Sequence, residues 1–215
     1  MKIRFKLVTL ILLGAIASAA AVRSAIAKNP YGMEPVEVNA GRTSIDLDFT
    51  NTPATVSFQF KKNWTPARML FGASLSIVGP DHVGLKAEDF EGSSSNILVE
   101  PLSKSQNEID VPKTISSEDI RGYQAKKLAD VGKMGGSIVK FINPQVLYLG
   151  NATAGRSIAH RYGVDYEVNQ DEFTDYSYRV YCKKQFFMIY MHFSSANLKK
   201  DFPDAQSIVG SFACE

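Results

Sequence analysis

Cysteine, histidine and tryptophan are scarce in this chain: two, three and one among 215 residues. Two cysteines exclude a disulfide-dense small scaffold and any four-cysteine zinc site. The three histidines, His82, His160 and His192, are scattered, with no His-Glu-x-x-His pair and no Cys/His cluster. They read as structural histidines, and no metal or cofactor is expected. Charge of one sign is also lacking. The 24 bases and 22 acids leave only +2, which excludes nucleic-acid binding of the usual electrostatic kind. No Cys-x-x-Cys, phosphate loop or dinucleotide fingerprint occurs. Gly155-Arg156-Ser157-Ile158-Ala159 is one change from a Gly-x-Ser-x-Gly nucleophile elbow. It leads into a strand pattern, whereas an elbow follows a strand and opens a helix. No catalytic set is therefore assigned, and a non-enzymatic protein is expected.

The chain does have a processed-looking start. Lys2, Arg4 and Lys6 precede an apolar stretch from Leu7 to Ile16, and small residues follow at Ala17–Ala21 and at Ala25-Ile26-Ala27. This is the order of a secretory signal peptide, with cleavage after Ala19 or after Ala27. Ala27 is preferred, because Lys28-Asn29-Pro30 then opens a polar mature chain. The alternative is an uncleaved anchor, but the apolar core is short for a span. No later segment approaches the roughly 18 apolar residues that cross a bilayer. Four of the 24 bases lie in residues 1–27 and none of the 22 acids does. Cleavage leaves 20 bases against 22 acids, a charge of −2. The expected location is secreted or periplasmic. Residues 28–43 read as an extended leader and 44–215 as a single domain.

Within that domain, Ser44–Phe49 and Thr55–Phe60 alternate apolar and polar residues as half-buried strands do. Asp46 and Asp48 fall on the solvent side of the first. Leu70–Val78 and Ile97–Leu102 are further strand candidates. Ser116–Lys133 is the best helix: Ser116 with Asp119 forms a capping-box pattern, Ile120, Tyr123, Leu128 and Val131 make its stripe, and Gly135-Gly136 stops it. Strands are then expected at Ser137–Phe141, Gln145–Leu149, Arg156–Val168, Tyr176–Cys182 and Phe186–Phe193, with Asn143-Pro144 separating the first two. Lys183-Lys184-Gln185 serves as a hairpin connection. The later part of Asn197–Phe212 reads as helix, with Pro203 in its first turn. Helices beside a mainly antiparallel sheet define an α+β class.

The run Val146-Leu147-Tyr148-Leu149-Gly150, the strand Ala154–Tyr162, the hairpin Tyr178–Phe193 and the ending Ile208-Val209-Gly210-Ser211-Phe212 together make a pattern. Upstream, Phe58-Gln59-Phe60-Lys61-Lys62-Asn63-Trp64 adds a strand, a loop and the single tryptophan. This pattern resembles the PsbP-like proteins and their bacterial secreted relatives over most of residues 44–212. Lys61-Lys62-Asn63-Trp64 lacks the proline of the usual Pro-x-x-Trp. The resemblance implies an α/β/α sandwich and a non-enzymatic accessory protein. It transfers no catalytic residues, and fold alone does not fix function.

Two constellations remain. In an oxidising compartment two cysteines of one domain usually pair. A Cys182–Cys214 disulfide would pin the last helix to the sheet, worth about 3.5 kcal/mol for a loop of that size before strain. The alternative is two free thiols. Aromatic residues are dense from Tyr162 to Phe193. Tyr162, Tyr166, Tyr176 and Tyr178 with Arg179 form a candidate binding surface, since tyrosine suits places where apolar surface meets a partner. The competing reading is ordinary cross-strand packing. Phe187, Ile189, Met191 and Phe193 share one strand face, read as core. The partner class expected is a protein or a membrane-associated assembly. The alternative is a small-molecule or lipid ligand in a cavity between sheet and helix.

Overall fold

The structure, a computed structural model, describes residues 33–35, 42–47, 54–61, 63–69, 75–80, 95–102, 114–150, 157–182 and 185–214. The signal-peptide reading, most of the leader, Asp48 and His82 lie outside these residues. The strands are β1 (Met33–Pro35), β2 (Arg42–Leu47), β3 (Ala54–Gln59), β4 (Thr65–Met69), β5 (Leu75–Val78) and β6 (Asn96–Pro101). Helix α1 (Ser117–Lys133) follows, then β7 (Ser137–Leu149), β8 (Ser157–Val168), β9 (Asp171–Cys182) and β10 (Gln185–Ser194). Helix α2 (Ser195–Gly210) and β11 (Ala213–Cys214) end the chain.

Eight strands form one sheet in the order β1-β4-β5-β6-β10-β9-β8-β7, and β11-β3-β2 form a second, smaller sheet. Every strand pairing is antiparallel. The expected α+β sandwich is therefore found. Alternation along each strand sorts side chains to two faces. Phe187, Ile189, Met191 and Phe193 are fully buried on one of them. They pack with Ile77, Ile97, Val99, Tyr178 and Val180, with Ala205, Ile208 and Val209 of α2, and with Val56 and Phe58 of the small sheet. This is the main core. The other face carries a smaller cluster of Val131, Val164 and Tyr166 beneath α1.

Helix α1 begins where the capping box predicts. The Asp119 amide donates to Ser116 Oγ at 3.1 Å, and the Ser116 amide donates to Asp119 Oδ2 at 3.2 Å. The Ser116 hydrogen bonds hold the Asp119 carboxyl below its ordinary pKa. The helix stops because Gly135 takes φ +76° and Gly136 must approach β8: a Cβ there would sit 2.3 Å from the Glu167 carbonyl.

Several boundaries differ from the sequence reading. The strand expected over Leu70–Val78 is described only at Leu75–Val78, and Thr65–Met69 forms a strand that was not expected. Pro66 tempers its pattern but is tolerated, because β1 pairs only with Ala67–Met69. Asn143-Pro144 does not separate two strands; β7 runs through it with a register shift between Ile142 and Gln145. Strand β9 begins at Asp171, because Asn169 and Gln170 both take positive φ, 53° and 76°, in a two-residue turn. Pro203 lies inside α2, not in its first turn, since the helix starts directly from β10 at Ser195. Buried Asp201 of that helix accepts from Ser95 Oγ at 2.6 Å.

Candidate functional site

Helix α1 covers the sheet over β7 and β8 and leaves β9 and β10 partly open. A cavity of about 400 Å³ lies between the helix and the uncovered strands. Its floor follows from strand register. Tyr162, Ser177 and Tyr190 stand side by side on β8, β9 and β10, and Arg179 and Met188 stand side by side on the next rung. The small Ser177 between two tyrosines makes a trough. Its roof is α1, where Tyr123 stacks on Tyr162 with ring centroids 4.7 Å apart. Immediately before Tyr123, Gly122 also lines the space, and a Cβ added there would meet nothing within 4 Å.

Polar groups converge on this trough without being satisfied. Tyr123 Oη, Ser177 Oγ and Arg179 Nε are buried and lack hydrogen-bond partners. The Tyr123 and Ser177 hydroxyls face each other short of hydrogen-bond geometry. The Arg179 carbon Cζ lies 4.4 Å from the Phe186 ring centre, a cation–π contact. Among the described residues no carboxylate lies within ion-pair distance of Arg179. Burial pushes the phenol pKa values of Tyr123, Tyr162 and Tyr190 up, so all three hydroxyls stay neutral donors at ordinary pH.

Beside the cavity is a second polar cluster. Lys127 Nζ donates to Asp175 Oδ2 at 2.9 Å, and His192 Nδ1 meets Asp175 Oδ1 at 2.7 Å. Phe173 stacks on the His192 ring at 5.1 Å. Burial alone would raise the Asp175 carboxyl. The hydrogen bond and charge of His192 and the Lys127 ammonium outweigh it and hold the carboxyl below its ordinary value. Asp175 and His192 do not line the cavity. The cluster joins α1 to β9 and β10.

The five residues of the candidate binding surface divide between the two faces of the sheet. Tyr162 and Arg179 meet in the trough. Tyr166 is buried in the cluster beneath α1. Tyr178 is 1% exposed in the main core, and Tyr176 packs on Phe202 of α2 with ring centroids 5.0 Å apart. Tyr123, Gly122, Ser177, Met188 and Tyr190 complete the site and were not expected. The one available signal was alternation: Tyr162, Ser177, Arg179, Met188 and Tyr190 share a face once the β8–β9–β10 register is known. Leu128, placed on the inner stripe of α1 by its spacing, is 55% exposed. His160 is buried, and Ser157 only opens β8. Cys182 ends β9 and Cys214 lies in β11, but both side chains fall outside the described residues.

No family model and no curated protein matches this sequence. Among solved structures, it resembles LpqN, involved in cell envelope biogenesis of Mycobacterium tuberculosis. The identity is 11% and the TM-score 0.50, over 80% of this chain and 90% of that one. Cyanobacterial PsbP from Synechocystis sp. PCC 6803 aligns at 9% identity and TM-score 0.44, over 86% of this chain and 94% of that one. The chain thus shares the fold of LpqN, and at this identity the likeness concerns architecture alone.

Proposed function

We propose that this is an extracytoplasmic, non-enzymatic binding protein whose ligand enters the cleft between α1 and the sheet. The carrying observation is the 400 Å³ cavity with its unsatisfied polar floor. That volume falls within the range of sites that enclose small molecules, apolar in body with a few convergent polar groups. The basic, apolar and small-residue order of residues 1–27 supports export. A fold shared with LpqN, a protein involved in cell envelope biogenesis, supports the same setting. His192 and Asp175, hydrogen-bonded to one another, do not line the cleft, and Asp175 is engaged with Lys127.

A second reading, an accessory protein that engages a protein partner or envelope assembly, is favoured by a different observation. Leu128 on α1, Met134 just past its end and Val139 on edge strand β7 are 55%, 52% and 66% exposed. Native mass spectrometry of the full chain, purified from envelope extract, separates the two. A small mass increment that organic extraction removes supports the cleft. Co-purification of a stoichiometric protein with no small molecule overturns it in favour of the second reading.

The cysteine staple belongs to the same proposal. Strand β8 pairs with β9 as far as Ala159 opposite Val180, two residues before Cys182, and Ala159 faces Leu147 on β7. Gly150, just past β7, donates to the Gly210 carbonyl at 3.4 Å, which supports Cys182 lying toward the end of the sheet where α2 finishes. Maleimide labelling under denaturing conditions is expected to modify no thiol before reduction and two after it. Two modified thiols without reductant overturn the disulfide.

A further inference from the structure

We infer that the cleft takes a small amphiphilic anion: a carboxylate, sulfonate or phosphate head held by Arg179, with a planar or short apolar body lying along Met188, Tyr190 and Tyr162. This rests on the cleft being the binding site and adds the class of ligand. The argument is one of placement. The acids and bases around the cleft are equal in number: Glu118, Asp119 and Asp130 against Lys126, Lys127 and Arg179. Asp130 sits 3.6 Å from Lys133, and Lys127 is held by Asp175. Asp119 is hydrogen-bonded to the neutral Ser116 and keeps its charge, so Glu118 and Asp119 balance Lys126 and Arg179. Of these, Arg179 alone rises from the sheet floor, and its Nε is buried without an acceptor.

The other unsatisfied groups at the floor, the Tyr123 and Ser177 hydroxyls, can donate as well. Leaving buried donors unpaired is costly. An anionic head entering the trough supplies acceptors that the protein does not. A planar guanidinium also suits the two oxygens of such a head. The apolar side of the trough, Met188 with the faces of Tyr162 and Tyr190, suits a flat or flexible hydrocarbon. Gly122 keeps the roof open. A glycine inside a helix is less favourable than alanine, and here no backbone contact requires it.

The test uses two dyes of like shape and unlike charge on the full chain: anilinonaphthalene sulfonate, an anion, and N-phenylnaphthylamine, which is neutral. Saturable one-to-one binding of both is expected, with the anion tighter. Arg179→Gln should weaken the anion by about tenfold or more and change the neutral dye by less than about twofold. Gly122→Phe, which projects into open space and leaves the core untouched, should abolish both. Octanoate should displace the anionic dye, whereas phosphatidylglycerol vesicles should not.

Failure of both dyes to bind the wild type overturns the cleft as a site. Binding of both with no selective effect of Arg179→Gln overturns only the anion. Displacement by vesicles and not by octanoate overturns a free small ligand in favour of a membrane surface. Should Arg179→Gln fail to fold, the preference of the wild type for the anionic dye and its loss in Gly122→Phe decide the case.

Discussion

Phe212→Ala is expected to cost about 3–5 kcal/mol of stability, read as a lower urea midpoint with an unchanged slope. The ring is fully buried and meets Phe58 edge-on, with centroids 5.5 Å apart. It sits where three elements converge. The Phe212 amide closes the end of α2 on the Val209 carbonyl at 3.1 Å, and β11 begins at the next residue. Deleting the ring removes its transfer energy and leaves a cavity that backbone pinned on both sides cannot collapse to fill. It also loosens the hold of β11 on β3. A loss below about 1 kcal/mol would mean that the small sheet is not packed on α2 as described.

Asp175→Ala is expected to cost as much, about 3–5 kcal/mol, by a different route. The carboxylate is only 13% exposed and serves both Lys127 and His192. Removing it strands the Lys127 ammonium, 15% exposed, beneath α1. A buried charge without a partner is the costly state, whereas a buried pair replaced by apolar groups is often neutral. Lys127→Met added to Asp175→Ala should therefore restore most of the loss, and a purely additive double variant would refute the account. The same pair sets an acid limit. Because the native carboxyl is held below its ordinary pKa, its contribution is full well above about pH 4 and is lost as the pH falls through the lowered native value. Urea titrations at pH 7 and pH 3 should show a larger drop for the wild type than for Asp175→Ala.

Lys127 also shows what the sequence could and could not disclose. The inner stripe of α1 runs through Ile120, Tyr123, Lys127 and Val131, a regular helical spacing with a charge in the third place. Reading by hydrophobicity substitutes Leu128, one position round the helix and half in water. The charge is tolerated inside only because Asp175, 48 positions later, lies opposite it, and no local pattern reports that. The core face of β10 was legible because period-two alternation is local. The start of β9 was not, because Asn169-Gln170 lacks the glycine that usually announces a tight turn. The cleft was half legible. Tyr162 and Arg179 stood out by type, but Ser177 and Gly122 matter through the volume they leave empty, which depends on register and on where α1 lands.

The strand order of the large sheet has a consequence for how the chain assembles. From α1 onward, each strand pairs with the next in sequence, so β7 to β10 can form by short hairpin steps. In the first half β2 pairs with β3, β4 with β5 and β5 with β6, but the completion of both sheets waits for the C-terminal half. Strand β6 finds its second neighbour only in β10, and the Gln59 amide reaches the Ser211 hydroxyl across 152 positions. Emerging from the ribosome, the N-terminal hairpins have no larger sheet to dock on until β10 exists, and the last residues complete the second sheet. The strands made first are therefore among the last to be enclosed.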